Sequence, residues 1–167
     1  MKNIWNKRMA VTALSIIMII ALGGCSLLSQ LTGKTDVMMD YLDKTNDLTN
    51  EYIMILNTEM MIEDWDELVA FTEDELLPRM NRILDSVNEV INEFDEDELI
   101  TLHQLLVQSY EKLIEGNELW LAEEYEEADV LLTESDELYM QYEEDLDSLA
   151  SKWGVNIEWE DVEEGLE

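Results

Sequence analysis

Eight residues set the terms on which this chain can fold: Ala128, Leu132, Ser135, Tyr139, Tyr142, Leu146, Leu149 and Trp153. The steps between them alternate four and three without interruption. That spacing puts them all on one stripe of an α-helix. A strand repeats every two residues and cannot present them together. A second run, Leu76, Met80, Ile83, Val87, Val90 and Phe94, steps the same way. Stripes of this period pack helices at shallow angles with left-handed supercoiling.

Two further stretches complete the pattern. One runs from about Asp36 to Met61, with Met38, Tyr41, Leu48, Tyr52 and Ile55 on one face. The other runs from about Glu98 to Ala122, with Leu99, Leu102, Leu106, Tyr110, Leu113 and Trp120. Thr35 or Asp36 stands where the first helix would be capped. A short amphipathic piece, 62–71, carries Trp65, Leu68, Val69 and Phe71, and Thr72 with Glu75 then has the spacing of a capping box. Pro78 should kink the helix that follows or mark a later start. The run DEDE (95–98) places acid at a helix N-terminus, where the dipole favours it. AEEYEEA (122–128) reads as a tight turn, and Gly154 as a helix terminator. Short connections make neighbours antiparallel. The expected fold is all-α, an up-and-down antiparallel bundle of about four helices over 36–154. An acidic tail, 155–167, follows, with Val155, Ile157 and Trp159 able to dock back. The segment 121–132 looks like part of a tetratricopeptide repeat. No second copy lies one period away, so a generic helical hairpin is the better reading.

Composition narrows the partners. Aspartate and glutamate number 41 against 9 lysine and arginine, a formal net charge of −32. Such a surface repels nucleic acid and bare anionic lipid. The hydrophobic share of 47% argues against disorder, and a single proline with six glycines favours helices over a turn-rich β fold.

Residues 1–24 read as an export signal. Lys2, Lys7 and Arg8 give a positive start, and an apolar run from Met9 to Leu22 follows. That run is short for a spanning helix, which needs about 20 residues. Leu22, Gly23 and Gly24 then precede Cys25, the only cysteine in the chain. This arrangement resembles the lipobox of bacterial lipoproteins, with Gly23 where alanine, serine or threonine is more usual. The resemblance implies a diacylglyceryl group on the Cys25 sulfur and cleavage just before it. Two acyl chains give stable anchoring where one gives only marginal attachment. A lone cysteine has no partner for a disulfide within the chain. The alternative is an uncleaved signal anchor. Ser26 resembles the outer-membrane sorting residue of two-membrane cells, and 25–35 reads as the lipidated cysteine and a tether.

A broader likeness extends along the chain. LHQLLVQSYEKLIEGNELWL (102–121), together with LGGCSLL and LDKTNDLTNEY (42–52), resembles small Bacillus-type lipoproteins of unassigned function. The matching positions are His103, Gln104, Val107, Lys112, Leu113, Glu115, Gly116, Leu119 and Leu121. The resemblance implies a helical lipoprotein at the cell surface and brings no catalytic or ligand residue with it.

Little in the chain suggests catalysis. His103, the only histidine, lies at the edge of an apolar stripe, where a packing role outweighs a base or a zinc ligand. Paired carboxylates carry no information among 41 acids. No EF-hand loop, phosphate loop, HExxH or nucleophile set is present. DEDE (95–98) and EWEDVEE (158–164) could associate loosely with calcium or magnesium, although a solvated face is the simpler reading. Glu75 should pair with Arg79 and Arg82 with Asp85. Trp65, Trp120, Trp153 and Trp159 suit core packing better than stacking on envelope sugars. Gly116 marks a close helix approach or a bend. These features lead to the expectation of a non-enzymatic, cofactor-free module, held to the extracytoplasmic face of the membrane through Cys25 and binding an envelope protein. The alternative is a surface protein that binds divalent cations or cationic ligands. A carboxylate-pair hydrolase is a distant third reading.

Overall fold

The computed structural model describes residues 14–16 and 31–161, with side chains placed from 33 to 158. The proposed lipid-attachment residue Cys25, its neighbours Leu22, Gly23 and Gly24, and the segment 162–167 lie outside the described residues. The architecture is the expected all-α bundle. Five helices, α1 (Leu31–Met60), α2 (Trp65–Phe71), α3 (Leu77–Val90), α4 (Asp97–Leu121) and α5 (Tyr125–Lys152), build its four arms, because α2 and α3 are joined into one.

α1 begins at Leu31 and runs through Gly33, so Thr35 and Asp36 lie inside the helix and cap nothing. The stretch read as a tether is therefore helical from Leu31. With 30 residues, α1 is a rod about 45 Å long. Met38, Tyr41, Leu42, Thr45, Thr49, Tyr52, Ile53 and Ile55 form its buried face. Thr35 instead binds across the bundle, its Oγ1 donating to the Trp153 carbonyl at 2.6 Å.

The second arm departs from expectation. Asp64 caps α2, its Oδ1 accepting from the Glu67 N–H at 3.0 Å. Thr72 and Glu75 form no capping box. Thr72 is fully buried in a π-helical turn, Thr72–Leu76, that carries α2 directly into α3. The apolar spacing explains why. Leu68, Thr72, Leu76 and Met80 are all buried and each lies four residues after the last. A four-residue step overshoots a 3.6-residue turn by about 40°, so three in succession would carry the stripe off the core face. A π turn, closed by an i→i−5 bond such as Leu77 N–H to the Thr72 carbonyl, takes up the surplus. Pro78, which has no N–H to donate, sits just past this turn on the exposed side. It therefore lies in the first turn of α3, the later start that the sequence suggested, while the π turn keeps the backbone helical from α2.

After a short 3₁₀ turn, Ile91–Glu93, the backbone extends at Phe94 and enters α4. α4 and α5 end in the same way. At the first, the Glu123 N–H reaches the Trp120 carbonyl (3.1 Å) and the Glu124 N–H the Leu119 carbonyl (2.9 Å), with Glu123 at φ 65°. At the second, Gly154 and Val155 bond back to Ser151 and Ala150, with Gly154 at φ 82°. Both are Schellman closures, and one places glutamate where glycine is usual.

α1 packs on α3, α3 on α4 and α4 on α5. The α4–α5 pair is the tightest. A Cβ on Gly116 would lie 2.8 Å from Leu132 Cγ, so this glycine serves close approach. Ser109 and Ser135 exchange hydrogen bonds with each other's carbonyls at 3.0 and 2.8 Å. α1 faces this pair through large rings: Tyr52 stands 4.9 Å from Tyr110 and 5.0 Å from Tyr139, and Tyr41 is 5.7 Å from His103, between ring centroids. Val155 and Ile157 are buried, so the tail begins as part of the bundle. Beyond it, β2 (Trp159–Asp161) pairs antiparallel with β1 (Leu14–Ile16), Leu14 opposite Asp161. Three residues a side add little stability on their own.

Candidate functional site

The chemistry-bearing side chains gather in the core. His103 on α4 is 1% exposed, and every arm of the bundle contributes to its surroundings. Its Nε2 lies 2.9 Å from the Val87 carbonyl on α3. A carbonyl only accepts, so Nε2 carries the proton. In the neutral ring Nδ1 must then accept, and Tyr41 on α1 donates to it at 3.0 Å. The Tyr41 oxygen is left to accept from Tyr142 on α5, at 3.2 Å. The chain of donors runs Tyr142, Tyr41, His103, Val87. Burial lowers the His103 pKa below its ordinary value, the Val87 carbonyl only partly opposing this. Burial likewise pushes the Tyr142 hydroxyl up to about 12 and the Tyr41 hydroxyl well above its usual range. The histidine is thus a hydrogen-bonded core residue, as its position on the stripe suggested.

Around this relay, Tyr52, Tyr110 and Tyr139 pack ring against ring. Glu143, one residue after Tyr142, is half-buried beside them, and one of its oxygens has no hydrogen-bond partner. Burial raises its pKa to about 7. Nothing in the sequence singled out Glu143 among so many acids. The relay had one legible signal: a buried tyrosine needs a partner for its hydroxyl, and Tyr41 and Tyr142 both sit on apolar stripes.

The two poles of the bundle differ in charge. At the pole where α1 begins and α5 ends, Glu98 accepts from both Lys34 and Lys152, and Lys44 bridges Asp40 and Glu93. The Lys152 and Lys34 ammonium groups hold the Glu98 pKa down. A cleft of about 320 Å³ nearby is lined by Asp36, Asp40, Glu93, Phe94, Asp95 and Glu96. Lysines therefore already occupy part of the DEDE run. Among the described residues, no group of three or more His, Cys, Asp or Glu could hold a metal ion.

At the opposite pole, where α1 meets α2 and α4 meets α5, Trp65 rests on Trp120 with centroids 5.0 Å apart. Trp120 is buried, whereas Trp65 is 44% exposed, Met60 43% and Met61 83%. The segments that carry them are acidic: Glu59, Glu63, Asp64, Asp66 and Glu67 flank Met60, Met61 and Trp65 in sequence, and Glu118, Glu123, Glu124, Glu126 and Glu127 flank Trp120. Neither segment holds a lysine or arginine. Trp153 is also core, with the Lys34 ammonium 4.8 Å above its ring, and the Trp159 side chain lies outside the described residues.

Arg79 does not pair with Glu75. Its Nε binds Glu51 on α1 at 3.2 Å, tying two helices together. Arg82 makes no ion pair with Asp85 among the described residues. No described helix is long and apolar enough to cross a membrane. No protein-family model matches the chain, and comparison with curated proteins and with solved structures finds no significant match.

Proposed function

We propose that this protein is a lipid-anchored bundle on the extracytoplasmic face of the membrane that works without catalysis, as a protein-interaction module of the cell envelope. Residues 1–24 direct export, and Cys25 carries the lipid. On this reading the β1–β2 ribbon belongs to the unprocessed chain, because β1 precedes Cys25. One observation carries the interaction role: His103, Tyr41 and Tyr142 are sealed in the core and bonded to one another, while apolar residues stand exposed at one pole. The resemblance of LGGCSLL to a lipobox supports the anchor. Cys25→Ser should move the protein from the membrane fraction to a released or soluble one, and retention in the pellet would refute the anchor. Crosslinking of the lipidated protein in membranes should recover one recurrent protein partner; recovery of none would refute the interaction role.

The acidic cleft beside Phe94 favours a second reading, loose binding of calcium or magnesium. Under it, calcium chloride raises the melting temperature saturably and at far lower concentration than sodium chloride of equal ionic strength. Equal effects of the two salts would remove it.

A further inference from the structure

Exposed apolar side chains scattered singly are ordinary on a protein surface, but an exposed cluster marks a place of contact. Met60, Met61 and Trp65 occupy one pole, and the buried Trp120 ring gives Trp65 a rigid floor. Methionine also suits docking, because its unbranched, polarizable side chain adapts to the shape of a partner. Tryptophan and methionine are enriched at interface cores for the same reasons.

Charge decides what covers the patch. The flanking segments carry acids and no base, so a second copy of this chain would bring like charges into contact. An anionic bilayer meets the same objection. α1 also carries this pole about 45 Å from its own first residue, several Debye lengths of about 8 Å at physiological salt. Five of the six cations that follow Cys25 are engaged elsewhere: Lys34, Lys44 and Lys152 at the other pole, Lys112 with Glu134 and Arg79 with Glu51; the sixth, Arg82, lies within α3. We infer that this pole is the docking site for a cationic amphipathic segment of a partner protein. The apolar face of that segment covers Met60, Met61 and Trp65, while its lysines and arginines meet the surrounding carboxylates. This names the partner chemistry for the interaction role proposed above and rests on that role.

The test uses the full chain in zwitterionic nanodiscs and two synthetic peptides of about eighteen leucines and lysines. One peptide has its leucines at helical spacing; the other is a scramble of the same composition. Both are attracted to so acidic a protein, so the comparison is made at high salt, where diffuse attraction is screened. The amphipathic peptide should bind one-to-one by calorimetry, about tenfold or more tighter than the scramble. The variant Met60→Gln/Met61→Gln/Trp65→Gln keeps the net charge and should erase that advantage. Met61→Gln alone should weaken binding about threefold without touching the tryptophan stack, and Met54→Gln/Met140→Gln should change nothing. Equal binding of both peptides, or indifference to the pole variants, overturns the inference. Sedimentation showing a dimer that the pole variant abolishes overturns it in favour of a second copy. Binding of the pole to added zwitterionic vesicles overturns it in favour of a membrane. If the peptides fail while membrane crosslinking still recovers a protein partner, the docking site is wrong and the interaction role stands. Failure of the crosslinking refutes the role itself.

Discussion

Tyr41→Phe removes a single oxygen that serves two neighbours. The Val87 carbonyl fixes the proton of His103 on Nε2, which makes Nδ1 an acceptor and Tyr41 its donor. The Tyr41 oxygen is in turn the acceptor for Tyr142. Without it, Nδ1 loses its donor, while the Tyr142 hydroxyl keeps the Thr45 side chain as a partner, in an interior where Tyr41, His103 and Tyr142 are at most 1% exposed. A stranded buried polar group costs about 1–3 kcal/mol, so the variant should lose about that much. Tyr142→Phe is milder. It takes a donor from Tyr41 but leaves the Tyr41–His103 bond intact, and the expected loss is about 0.5–1.5 kcal/mol. The double variant should lose about 1 kcal/mol less than the sum, because each single variant already breaks the shared Tyr41–Tyr142 bond. Urea unfolding followed by circular dichroism near pH 8, where His103 is neutral, measures all three variants. Nitrogen NMR of the imidazole checks the proton directly. A Tyr142→Phe variant as damaging as Tyr41→Phe with additive losses would refute the donor order, and a proton on Nδ1 would refute its starting point.

Further expectations follow from single positions. The pKa of Glu143 is raised in the folded protein to about 7, so the native state holds its proton more tightly than the unfolded chain. Its stabilising effect is full below the ordinary carboxylate value and fades as pH rises through 7. Glu143→Gln should therefore match the parent at pH 4 and exceed it above pH 8 by about 1 kcal/mol, after discounting for partial exposure; equal pH–stability curves would contradict this. Glu123→Gly should stabilise by about 0.5–1 kcal/mol, since φ 65° suits glycine, while Gly154→Ala at φ 82° should destabilise by about 1 kcal/mol in the same thermal melts. Gly116→Ala should lose about 1 kcal/mol even though alanine is the better helix former, because the added carbon meets Leu132; a higher melting temperature would show that the helices separate freely.

The helices were legible because each stripe repeats many times, so errors at single residues average out. The heptad run ending at Trp153 and the stripe from Leu99 to Trp120 needed no tertiary information, and all of those residues but Leu132, which is half-buried, are buried. What escaped were features decided by one or two contacts. TEDE matches a capping box letter for letter, yet the four-residue steps from Leu68 to Met80 hold the chain helical through it. Asp64 and Glu67, with the same spacing, make the real cap. Arg79 has a local acid within reach and binds a distant one, which helix periodicity cannot reveal. For the candidate site, the tyrosines and His103 were placed correctly in the core, but their hydrogen bonds join four separate arms and leave no trace in any one of them. The exposed pole was least legible, since Met60, Met61 and Trp65 read as ordinary apolar residues until their neighbours are known.

The return of the chain to its starting pole has a mechanical consequence. Thr35 is bonded to Trp153, so the first helix begins where the last one ends, and the far pole contains only connections. For a molecule tethered at Cys25 and held by a partner at Met61, the load passes along α1 alone. The other arms lie beside that line, clipped to it by Arg79, the Tyr41 relay and the Tyr52 rings. Tension would then have to draw out α1 against all of these clips, a stronger arrangement than peeling helices apart one turn at a time.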